Sequence, residues 1–167
     1  MQKEVLTEQA LYYGDVVMPK DWDIDREKLS KDILESNIKN SNISFSKNLD
    51  MLDTYIKEHI FLDYNISLIE KNKWGNIYKP NQTSKPLLDV DPVDLENSPY
   101  FTLLYGVKVK NCNVTIYYDD NTKKGKNCII PLENNKFIMF PSTNMYYITN
   151  NQKDSLNFIQ TITYEYI

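Results

Sequence analysis

Tyr78-Lys79-Pro80-Asn81-Gln82-Thr83-Ser84-Lys85-Pro86-Leu87-Leu88-Asp89 is the turning point of this sequence. Before it, apolar residues recur at helical steps; after it, short alternating runs separated by turn residues take over. Upstream, Leu11 to Met18 reads as an entry strand closed by Pro19. Asp25 caps a helix through about Asn37, with Leu29, Ile33 and Ile38 near one face. Ser46 caps a second helix through about Leu62, striped by Leu49, Leu52, Ile56 and Ile60. Asn65 to Tyr78 is strand-rich, with Trp74-Gly75-Asn76 in or near a turn.

Downstream, Asn81 to Pro99 is a polar, proline-bearing excursion carrying Asp89, Asp91, Asp94 and Glu96. Strand signals then follow closely: Tyr100–Val109, Val114–Tyr118, Cys128–Leu132, Phe137–Phe140, Tyr146–Thr149 and Leu156–Tyr166. The turn Asp119-Asp120-Asn121-Thr122-Lys123-Lys124-Gly125 separates the second from the third. Helices first, then a run of antiparallel strands, is the order of a jelly roll with a helical flank. The expectation is a mainly β (α+β) fold in one domain, residues 1–167. Residues 1–64 form the helical flank with its entry strand, and residues 65–167 the jelly-roll core. Neither part alone is large enough to bury its own core.

Composition narrows the function. The 167 residues are 41% hydrophobic and 13% aromatic, enough for a substantial core. Thirteen tyrosines favour strands. Some of Tyr117, Tyr118, Tyr146, Tyr147, Tyr164 and Tyr166 belong in the core, and others are candidates for an exposed interface. A net charge of −4 argues against sequence-independent nucleic-acid binding, which needs many Lys and Arg contacts to phosphate. The lysines of Lys108–Lys110 and Lys123–Lys126 read as solvated strand edges or turns. No apolar run reaches membrane-spanning length and no signal peptide stands at the N-terminus. The expected location is the cytoplasm.

Cys112 and Cys128 fall on neighbouring strands. A turn near Thr122-Lys123 sets Cys112 opposite about Leu132 and Cys128 opposite about Tyr117, so a disulfide is not expected. The chain has one histidine, His59, beside the stripe of the second helix. It reads as a partly buried residue with one hydrogen bond. As the only base of its type, it is the one candidate for a nucleophile–His–acid set, and none is expected. The acidic loop lacks the glycine and spacing of a calcium loop and reads as solvated.

Residues from about Trp74 to Ile167 resemble the double-stranded β-helix oxygenases that use Fe(II) and 2-oxoglutarate, within them the small prolyl-hydroxylase-like proteins of bacteria and phages. Tyr78 to Asp89 resembles that family's Tyr-x-Pro-Gly-Gln lead-in and Lys-Pro-His-x-Asp strand. Pro131-Leu132-Glu133-Asn134-Asn135-Lys136-Phe137-Ile138-Met139-Phe140-Pro141-Ser142 is similar to its Pro-x-x-Gly-x-Leu-Val-Leu-Phe-Pro-Ser element. Leu156 to Tyr166 is similar to its closing strand. The resemblance implies a cupin-like jelly roll with two N-terminal helices packed against it.

The family's chemistry needs two His and a carboxylate on one face of a metal, and a cation for the far carboxylate of 2-oxoglutarate. Mapped by the resemblance, the metal positions are Leu87, Asp89 and Tyr146, and the cation position is Ser155, with Lys153 two residues earlier. Leu87 has no lone pair to offer and Tyr146 is a poor substitute for imidazole on Fe(II). The resemblance therefore implies a non-catalytic module with no catalytic residues, no metal and no cofactor. It would act by binding a protein partner or further copies of itself, not nucleic acid or membrane, and a phage structural or accessory role in the host cytoplasm or virion goes with it. Two alternatives stand beside this: an active Fe(II)/2-oxoglutarate oxygenase with atypical ligands such as Asp89, Tyr146 and His59, and a cupin-like barrel binding a sugar or other small ligand without metal.

Overall fold

The computed structural model describes residues 1–5, 8–40, 46–119 and 125–167. In chain order the elements are β1 (Tyr12–Asp15), α1 (Arg26–Lys39), α2 (Lys47–Tyr64), β2 (Leu68–Tyr78), β3 (Phe101–Lys108), β4 (Cys112–Tyr118), β5 (Lys126–Leu132), β6 (Lys136–Pro141), β7 (Tyr146–Asn150) and β8 (Asn157–Tyr166). The strands form a five-stranded antiparallel sheet, β1-β6-β3-β8-β2, and a smaller one, β5-β4-β7. Segment 82–87 extends the smaller sheet alongside β7: Asn150 N–H donates to Gln82 O at 2.8 Å, and Ser84 N–H to Ile148 O at 2.8 Å. The two sheets face each other as a double-stranded β-helix.

Two cores follow from strand alternation. Leu104, Ile138, Phe140 and Ile159 from the large sheet meet Val114, Ile116, Tyr146 and Ile148 from the small one between the sheets. Leu103, Tyr105, Met139, Ile162 and Tyr164 point the other way and meet Leu29, Ile33, Leu49, Leu52 and Ile56 of the helices. The helical flank thus covers the outer face of the large sheet. Asp25 caps α1 by accepting from Lys28 N–H at 3.0 Å, as its position predicts. Ser46 occupies the cap of α2 but makes no side-chain cap bond, and its buried hydroxyl has no partner among the described residues.

Two readings are corrected. Ile38 does not share the face of Leu29 and Ile33; it is 75% exposed while they are fully buried. At about 100° per residue, Ile38 falls on the far side of the helix from Leu29. Trp74-Gly75-Asn76 is not a turn: β2 runs unbroken through it. Gly75 faces α1, where an added Cβ would lie 2.5 Å from Ile33 Cγ1. The glycine is there because helix and sheet approach too closely for any side chain.

The cysteines are free, with Cys112 opposite Leu132 and Cys128 opposite Ile116, one residue from the expected partner. Lys108 pairs with Glu27 at 3.5 Å. The β4–β5 turn at 120–124, with Asp120, Lys123 and Lys124, lies outside the described residues. No helix among the described residues is long and apolar enough to cross a membrane.

β5 is the free edge of the small sheet. Tyr117 N–H donates to Met145 O, so the odd residues of β4 turn their backbone to β7 and the even ones to β5. By register, Cys128, Ile130 and Leu132 then bond β4, and Asn127, Ile129 and Pro131 face outward. Pro131 has no N–H, so it interrupts that open edge where pairing with another chain would begin.

Candidate functional site

The site is built on two neighbouring backbones. Leu87 N–H donates to Tyr146 O at 2.7 Å and Tyr146 N–H donates to Leu87 O at 3.0 Å. Such a mutual pair sets both side chains on one face of the sheet. Asp89 follows Leu87 by two residues and joins them through its carboxylate. Tyr146 Oη donates to Asp89 Oδ2 at 2.9 Å, and Thr102 Oγ1 donates to the same oxygen at 2.9 Å. Thr102 Oγ1 also lies 2.9 Å from Ser142 Oγ. Thr102 and Ser142 are buried and Tyr146 is 2% exposed, its ring edge-on to Phe140 with centroids 5.0 Å apart.

The turn leading into this strand is local chemistry. Asn81 has φ 54°, the left-handed conformation that glycine and asparagine tolerate best. Gln82 N–H donates to Lys79 O at 3.1 Å, and Lys79 N–H to Gln82 Oε1 at 2.7 Å. Downstream, Asn150 Nδ2 donates to the carbonyls of Tyr78, Lys79 and Ser155, tying the start of the strand to the β7–β8 loop.

Electrostatically, the group is a carboxylate held, among the described residues, by hydroxyls alone. Burial first, then the charge of Asp89 and the bond to it, raises the Tyr146 phenol far above the usual tyrosine range. Tyr146 is therefore a neutral donor at any physiological pH. Burial likewise raises Tyr78, with smaller contributions from Cys112 and Asp89. Burial pushes the Cys112 thiol up to about 12, so this cysteine is inert rather than nucleophilic.

Leu87, Asp89 and Tyr146 come together. Ser155 does not join them: it is exposed in the β7–β8 loop, where its carbonyl accepts from Asn150. On β8 the side chains facing the interior beside Thr102 and Leu104 are Thr163 and Thr161. The Thr161 hydroxyl is buried with no partner among the described residues. Arg26, the single arginine, lies on α1 and donates to Val107 O at 3.0 Å. His59 sits on the helix side of the large sheet, exposed, stacked on Tyr55 with its Nδ1 2.9 Å from Tyr55 O. The expected single hydrogen bond is there, but the residue as a whole is exposed, because its position lies just off the apolar stripe. Among the described residues no group of His, Cys, Asp and Glu is placed to hold a metal ion.

The acidic loop satisfies itself. Val93 N–H donates to Asp91 Oδ1 at 2.9 Å, and Asn97 Nδ2 donates to both Asp94 oxygens. Asp89 stands apart from it. The sequence reading missed Thr102 and gave Ser142 no role, although Ser142 is the last residue of the Phe-Pro-Ser element.

The overall fold matches solved Fe(II)/2-oxoglutarate oxygenases. A Pseudomonas putida prolyl-4-hydroxylase superposes with a TM-score of 0.64 at 9% identity, covering 94% of this chain and 88% of that one. The viral collagen prolyl hydroxylase of Paramecium Bursaria Chlorella virus-1, solved with 2-oxoglutarate, gives 0.64 at 14% identity over 94% and 96%. The α-ketoglutarate-dependent epimerase SnoN of nogalamycin biosynthesis gives 0.63 at 11% identity over 93% and 77%. At these identities the likeness is one of fold alone, a double-stranded β-helix. No protein-family profile and no curated protein sequence matches the chain.

The residues at the site do not fit Fe(II) held in that family's manner. A leucine and a protonated phenol flank the carboxylate, and the one imidazole of the chain lies in the other layer. Fe(II) and 2-oxoglutarate would need donors that this group lacks.

Proposed function

We propose that this chain is a non-catalytic module on an oxygenase scaffold and that it acts by binding another protein. One observation carries the reading. The Tyr146 hydroxyl fills the interior and donates to Asp89, the only carboxylate of the three site positions. A side chain that must leave before iron could enter argues for structure over catalysis. Under this reading Leu87, Asp89 and Tyr146 are the counterparts of the metal ligands. The counterpart of the 2-oxoglutarate cation, mapped to Ser155 by spacing, is supplied by no cationic side chain on β8. A phage structural or accessory role is the finer part of the proposal; mass spectrometry of the complex recovered from its source tests it.

The rival reading is an active oxygenase with atypical ligands, supported by the enzymes whose fold it shares. The two differ in a simple experiment. Fe(II) with 2-oxoglutarate should leave the melting temperature and succinate production unchanged, and purified protein should carry no stoichiometric iron. Turnover of 2-oxoglutarate to succinate would overturn the proposal. A gain-of-function variant tests the mapping itself. Leu87→His with Tyr146→His places two imidazoles on paired positions beside Asp89. It should bind Co(II), followed by its visible absorption, where the parent protein does not. Equal Co(II) binding by both proteins would show that the positions are misassigned.

A further inference from the structure

We infer that a groove on the helical face docks a cationic, amphipathic segment of a partner protein. This names a partner class for the binding role proposed above, but it rests on other residues. The groove runs between α2 and the segment after β1, on the opposite side of the large sheet from Asp89, with a volume of about 650 Å³. Val17, Met18, Met51 and Tyr55 supply an apolar lining, and Trp22 stands beside them 59% exposed. Methionine side chains suit a surface that must adapt to a ligand's shape.

Charge decides the occupant. Asp50 and Glu58, two turns apart along α2, line the groove with Lys47 and His59. Neither carboxylate has a side-chain cation partner among the described residues, whereas Asp53 on the same helix is paired with Lys57 at 2.6 Å. Asp21 and Asp23 flank Trp22 in the chain, and the whole protein carries a net charge of −4. An apolar strip between unpaired carboxylates, with an open indole, complements a segment whose apolar anchors are bordered by Lys or Arg. The carboxylates pair with the cationic heads, and the indole face attracts a further one. A nucleic acid or an acidic segment meets the wrong sign.

Trp22 is its own reporter once Trp74→Phe removes the other tryptophan. The probe is a synthetic amphipathic Lys/Leu peptide, with its Glu/Leu counterpart as control. The Lys peptide should shift Trp22 emission to shorter wavelength with saturable binding that weakens as salt rises from about 0.05 to about 0.5 M. The Glu peptide should not bind. Asp50→Lys with Glu58→Lys should weaken the Lys peptide by ~10-fold or more. The neutral pair Asp50→Asn with Glu58→Gln should fall between, and it keeps the test open should the reversal disturb α2. Glu96→Lys with Asp154→Lys alters the protein's charge equally on distant loops and should change affinity little. Equal losses in the two reversed pairs, equal binding of both peptides, or no binding of the Lys peptide to the parent protein would each overturn the inference. None of these outcomes bears on the Leu87, Asp89 and Tyr146 mapping.

Discussion

Two tyrosines make the same bond in opposite cores. Tyr146 donates to Asp89 between the sheets, and Tyr164 donates to Asp53 beneath the helices, each at 2.9 Å. Both phenols are raised by burial first and by their carboxylates second. The carboxylates differ in what else holds them. Asp53 is an i,i+4 partner of Lys57, whereas Asp89 has, among the described residues, only the hydroxyl of Thr102. Under the helices the charge is shared with a cation at the protein surface; between the sheets it rests on neutral donors. The pair in the interior is thus the more exacting of the two, because each hydroxyl lost leaves more of a carboxylate unsupported.

The largest expected effect is on stability. Tyr146→Phe should cost ~2–3 kcal/mol and Tyr164→Phe nearer ~1 kcal/mol, since Lys57 still supports Asp53. Denaturant unfolding of both variants checks this, and equal costs would break the comparison. Alkaline pH comes next. A phenol whose folded value lies above its ordinary value of 10.0 keeps its proton after the unfolded chain has lost it. Stability is therefore full below about pH 10 and falls above it, by ~1.4 kcal/mol per pH unit for each such tyrosine. Tyr146→Phe and Tyr164→Phe should each make that fall shallower by one tyrosine's share, seen as unfolding free energy against pH. The smallest effect belongs to Lys57→Met, under ~1 kcal/mol for a partly exposed pair. In double-mutant cycles it should couple to Tyr164→Phe and add independently to Tyr146→Phe.

How much the sequence disclosed follows from what each signal encodes. Short apolar or alternating runs between turn residues located β3 to β8: β5 and β7 keep one face toward solvent and alternate in burial, whereas β3 and β8, with a face in each core, are buried along nearly their whole length. The resemblance alone singles out Asp89 and Tyr146, and the structure brings their side chains together. Neither signal could give Thr102, since a threonine on a buried strand looks like any other. Gly75 misled for a related reason: a glycine in sequence does not say whether it serves a bend or a close contact, and only the position of Ile33 decides. The placement of His59 turned on a small rotation about the helix axis. The cationic position was the least legible, because the β7–β8 loop has no fixed length and counting along it does not fix which β8 side chains enter the barrel.

Pro131 carries a consequence for how this protein behaves at high concentration. A jelly roll whose outermost ribbon offered a full row of amide donors would invite its neighbours to zip on and grow into fibres. One imino acid in that row leaves a gap in the template. The Pro131→Thr protein, folded and otherwise unchanged, is where self-templated assembly would first be seen.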